Sequence, residues 1–156
     1  MTNSIPTTNL NTNSKRRSIE WLLCILGALN CILVAAVFTN SQLTGEGLTS
    51  IWPLPLIYFV EISVLGIVCL IAVAMLRNNS VSRWSGIPWI CSGILLAIVI
   101  LGAWTIGFYL IPAMILFLIV GILVDRRTQG DIALHLIYYV SAGIVQASLV
   151  FLTLLG

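Results

Sequence analysis

Charge is what this sequence has least of. Lys, Arg, Asp and Glu make up 8% of its 156 residues, against 60% apolar residues. A mean hydropathy of +1.11 leaves too little polar surface to cover a soluble globule. The sequence contains one histidine, and it has no CxxC pair, no HExxH, no GxSxG and no glycine-rich phosphate loop, so the common signatures of metal-assisted, nucleophilic and nucleotide chemistry are missing. No Ser-His-acid set is expected at one depth, and the reading is of a protein that is not an enzyme and carries no cofactor. Seven basic residues in short segments give no footprint for nucleic acid, and anionic headgroups account for them.

What remains is apolar sequence cut into lengths. A bilayer core of about 30 Å needs some 20 helical residues, so the chain has room for about five spans and no separate soluble domain. The Asn-, Thr- and Ser-rich stretch 1–17 has little to bury and reads as a disordered tail. Residues 18–156 read as a single all-α bundle with spans near 19–38, 51–76, 86–103, 106–124 and 132–155. The third and fourth are inferred from one unbroken apolar run, Gly86 to Val124. As one helix that run would be about 58 Å long, nearly twice the hydrocarbon thickness. The turn is expected in "LGAWTIGFYLIP", where Gly102, Gly107 and Pro112 weaken helix continuity.

Five spans place Lys15, Arg16, Arg17, Arg77, Arg83, Arg126 and Arg127 on one side. By the positive-inside rule that side is the cytoplasm, with the amino terminus inside and the carboxyl terminus outside. The expected location is the cell membrane, as a multi-pass protein. Trp21, Trp84 and Trp89 then fall at the inner boundary and Trp52 and Trp104 at the outer one. The first run is longer than a signal-peptide core and lacks a good cleavage site, so it reads as a retained span.

Among the long runs, "LIYFVEISVLGIV" holds a carboxylate at its centre, Glu61. Charges at such depth are costly and are paired or functional. At about 1.5 Å per residue, Glu61 lies roughly 22 Å from the inner end of its span, level with Gln146 and Tyr109 and a little above Asn30. Tyr58, at i−3, shares its helix face. These five residues are the candidate polar layer, serving as an interhelical clamp or as a proton or cation site. One membrane carboxylate in a small bundle resembles the small multidrug transporters, although here the number of spans and the helix carrying the acid both differ. The resemblance implies a coupling role for Glu61.

A second layer, nearer the inner boundary, contains Cys24, Cys69, Cys91 and His135. Three thiols and an imidazole suit zinc, but the spacing that marks a metal site is absent, and buried cysteines commonly act as small hydrophobes. No metal is expected. His135 is expected to pair with Asp131 at i−4, and Asp131 to cap the last helix. The small-xxx-small pairs Gly93/Ala97 and Gly143/Ala147 mark faces where backbones approach closely. Taken together, these features lead to the expectation of a structural or accessory membrane protein, packing against itself or a larger complex in the lipid bilayer. The alternative is a proton- or cation-coupled transporter of a small solute that uses Glu61.

Overall fold

The computed structural model describes residues 8–45, 54–78, 84–103, 106–128 and 131–155. Among these the protein is all-helical. Its elements are α1 (Thr8–Gly45), α2 (Leu54–Asn78), α3 (Ile87–Leu101), α4 (Gly107–Thr128) and α5 (Ile132–Leu155). Four of them, α1, α2, α4 and α5, are long and apolar enough to cross a membrane. The fifth, α3, has 15 residues. Trp52 and Trp104, and the centre of the loop joining the first two spans, lie outside the described residues.

The boundaries follow local chemistry. Helix α1 starts at Thr8, inside the stretch that composition reads as a disordered tail, and runs on to Gly45, past the apolar segment at both ends. Once the apolar segment has nucleated a helix, each further turn adds a hydrogen bond for one residue fixed, so polar flanks can continue it. The long apolar run breaks after Leu101. There the Gly102 N–H bonds the Ile98 carbonyl at 2.8 Å and the Gly107 N–H bonds the Gly102 carbonyl at 2.7 Å, closing a tight turn into α4. Pro112 does not take part in that break. It sits inside α4, near enough to the start that little of the helix ladder precedes it. Asp131 precedes α5 and its Oδ1 accepts the Ala133 N–H at 3.0 Å, an N-terminal cap.

Helices α1 to α4 close into a ring in which α1 packs on α2 and α4, and α3 packs on the same two. Their inward faces interlock through Cys24, Ala28, Ile62, Leu65, Leu95, Leu110, Phe117 and Val120, all of them buried. Ser92 of α3 adds a polar tie, donating to the Met114 carbonyl of α4 at 3.1 Å. Helix α5 contributes no residue to this core. It lies on the outside of the ring, with α3 as its principal neighbour.

The α3–α5 contact is made by glycine. A Cβ on Gly93 would run into the backbone of Tyr139, and one on Gly143 would sit 3.1 Å from the Gly93 carbonyl oxygen. The glycines of the two motifs marked in the sequence thus face each other within the chain, bringing the helix backbones close enough for dispersion contact. Gly93→Leu is therefore expected to destabilise the protein by about 1–3 kcal/mol, the usual cost of overpacking. Hydrogen exchange should show the loss concentrated in α5, with the α1–α4 ring retaining its protection.

Candidate functional site

The proposed polar layer is divided by the fold. Glu61 is half-buried on α2, and the Gln146 side chain of α5 lies beside its carboxyl. Gln146 itself is buried. Tyr58 is half-buried one turn from Glu61. Tyr109 goes elsewhere: it is 58% exposed and its ring lies 5.6 Å from that of Phe38 on α1. Asn30 points its Oδ1 into an enclosed position where, among the described residues, nothing bonds it. Equal depth does not confer equal azimuth. Helices α2 and α4 stand on opposite sides of the ring, which keeps Tyr109 from Glu61.

The thiols gather without the imidazole. Cys24 Sγ lies 3.6 Å from Cys69 Sγ, and Cys91 makes a side-chain contact with Cys69 as well. All four cysteines are free and buried. Among the described residues no group of three His, Cys, Asp or Glu side chains is arranged to hold a metal ion.

His135 instead joins a cluster at the end of the bundle where α3 and α5 begin and α4 ends. Its Nδ1 lies 2.8 Å from Asp125 Oδ1, with the histidine 8% and the aspartate 0% exposed by side chain. The contact is short but oblique, since neither atom has an aligned hydrogen bond, and it is an ion pair only when the imidazole carries a second proton. Nε2 on the far side of the ring lies 3.3 Å from Ser85 Oγ, the donor depending on the tautomer. Asp125 Oδ2 accepts the Trp89 indole N–H at 3.0 Å. The Trp89 and His135 rings stack with centroids 6.5 Å apart. One carboxylate therefore ties α3, α4 and α5 together. A neighbouring pair, Arg127 Nη2 to Glu20 Oε2 at 3.2 Å, joins α4 to α1, and both partners are largely shielded from solvent.

The cluster departs from the sequence reading in two respects. Asp131 caps its helix and Asp125 takes the histidine, because the i+4 spacing of Asp131 and His135 competes with a carboxylate already buried beside the ring. The expectation that no Ser-His-acid set shares a depth is also overturned, since Ser85, His135 and Asp125 meet. Ser85 lies 50 positions from His135 and Trp89 36 from Asp125, while His135 and Asp125 sit on either side of the chain reversal between α4 and α5, and no helical spacing reports such contacts. The available signal was weaker: a serine, a tryptophan, a histidine and an aspartate all assigned to the same boundary by the span ends.

Comparison with protein-family models, with curated proteins and with solved structures finds no match to this chain. Its class rests on its own features, an all-helical protein with four long apolar helices and a buried polar cluster at one end.

The buried carboxylate separates variants that look alike on paper. Asp125→Leu strands the Trp89 N–H and the imidazole, and is expected to cost about 3–5 kcal/mol, as does removal of one member of a buried charged pair. Trp89→Phe removes a single hydrogen bond and is expected to cost about 1–3 kcal/mol. Denaturant titration of the protein in detergent checks both, and equal losses would contradict the central place of Asp125.

Proposed function

We propose that this is a five-span membrane protein with an accessory or structural role, associating through α5 with a second copy or with a larger membrane complex. The observation that carries the reading is the exposure of α5. Only 6% of its apolar window is buried within the chain, against 33%, 44% and 39% for the windows of α1, α2 and α4. Ile137, Val140, Ile144, Leu149, Phe151 and Leu152 all face outward, in a helix that rests on little more than α3. Such a face is filled in a bilayer by lipid or by another helix.

In this proposal the amino terminus is cytoplasmic, α3 completes the third crossing, and the cell membrane is the location. At 15 residues α3 is about 22 Å long, short of a ~30 Å core, so the bilayer thins locally or flanking residues complete the span. Reporter fusions test the topology: a tag after Gly156 is expected outside and one near Asn79 inside, and the same side for both overturns it. A photo-reactive residue at position 144, irradiated in native membranes, is expected to give a discrete protein adduct. Crosslinking to lipid alone counts against the accessory role.

A coupled transporter is the second reading, favoured by the Glu61–Gln146 contact deep in the apolar region. Glu61→Gln separates the two readings. An accessory bundle keeps its stability and its adducts with the amide, whereas a transporter folds but loses proton-dependent uptake.

A further inference from the structure

We propose that Ser85, His135 and Asp125 form a nucleophilic triad that cleaves acyl esters drawn from the surrounding lipid. This chemistry goes beyond the accessory role and does not rest on it.

The polarity of the cluster carries the inference. A purely structural clasp needs only donors for Asp125, and the Trp89 indole supplies one to Oδ2 while Nδ1 of the imidazole makes a short contact with Oδ1 that lacks hydrogen-bond alignment. Here the second imidazole nitrogen, Nε2, faces a hydroxyl 3.3 Å away, while Nδ1 faces the carboxylate at 2.8 Å. That is the order in which a base accepts a serine proton on one nitrogen while an acid stabilises the resulting imidazolium from the other. The Trp89 N–H, 3.0 Å from Asp125 Oδ2, holds the acid in place. Asp125 and Trp89 are thus positioning residues, and Ser85 and His135 are the ones that meet the substrate.

The local backbone fits the same purpose. Ser85 lies in the turn that opens α3, where Pro88 has no N–H and Ile90 bonds the Gly86 carbonyl, so the Ile87 and Trp89 N–H groups are the first-turn donors without an intrahelical acceptor that suit a developing oxyanion. A Cβ at Gly86 would lie 3.2 Å from the Tyr138 ring, closer than side chains ordinarily pack, and in ordinary contact with the His135 ring at 3.4 Å, so glycine here leaves room for Tyr138 over the serine end.

A substrate class follows from the adjoining groove. Between α3 and α5 runs an open, mostly apolar channel of about 270 Å3, lined by Ile90, Ile94, Ala142 and Val145, with Tyr138 at one end. The Tyr138 ring lies 5.9 Å from that of His135. An acyl chain lying in the groove from the lipid side brings its ester to the serine end. Ser85 is fully buried, and Tyr138, itself 40% exposed, is the side chain that must swing aside. In the reaction Ser85 Oγ bonds to the ester carbonyl carbon and its proton passes to His135 Nε2. The C–O bond breaks, and the alcohol leaves with that proton. Water then repeats the sequence on the acyl-serine, releasing the fatty acid and restoring Ser85.

A long-chain alkyl fluorophosphonate tests the site on the full-length protein in detergent. The Ser85 Oγ–P bond forms, the P–F bond breaks, and the proton passes to His135 as fluoride departs. The expected result is one covalent adduct, mapped to Ser85 by peptide mass spectrometry and absent from Ser85→Ala. In His135→Gln labelling is expected to slow by about 100-fold or more, the usual contribution of a general base. Should that variant unfold, His135→Asn is labelled in its place, and the same loss of rate is expected. An absent adduct at Ser85, or equal labelling in a folded variant at His135, overturns the proposal.

Discussion

A carboxylate removed from water must be met by donors, and Asp125 imposes that requirement on three helices at once. With 1% of its surface exposed, it takes an indole N–H from α3 and an imidazole from α5. Each of these groups comes from the first turns of its helix, so the condition at one atom pair fixes where both helices begin. Burying a charge is costly unless it is paired. The cluster is therefore sensitive in a way that the apolar core is not, because a lost methylene is repacked but a lost donor leaves a charge alone.

The rest of the fold divides into a ring that holds itself together and a helix that is held on. Within α1–α4 the buried apolar side chains form one continuous cluster. Helix α5 depends on three points spread along its length: the imidazole near its start, the glycine contact at its middle, and Gln146 beside Glu61. Two are polar and one is a backbone approach, and none is a hydrophobic core. Lipid is as apolar as leucine, so contacts of this kind are what associate helices in a bilayer.

How much of this the sequence shows depends on direction. Along the chain, hydropathy and charge mark where apolar helices run, and the glycine pairs at 93 and 143 mark a close contact correctly. Gly102 marks the break within the long run, whereas Pro112 does not, because a proline near a helix start removes little. Across the bundle the sequence is nearly silent. Depth alone placed Glu61, Gln146, Tyr109 and Asn30 together, yet Tyr109 turns to Phe38 because azimuth depends on the order of helices around the ring. The same limit hid the meeting of the serine with the histidine and aspartate, 50 positions from the histidine and adjacent to it only once α5 settles on the outside of α3. The cysteine layer shows the converse, since Cys24, Cys69 and Cys91 lie on inward faces of neighbouring ring helices and do converge.

The convergence of those thiols matters for how the molecule can be observed. Each of the four cysteines has 0–1% of its surface exposed, and thiolate-directed reagents need both access and ionisation. The native protein thus behaves toward polar maleimides as though it were cysteine-free. A spin label or fluorophore introduced through one added surface cysteine reports from that site alone, with the interior left intact.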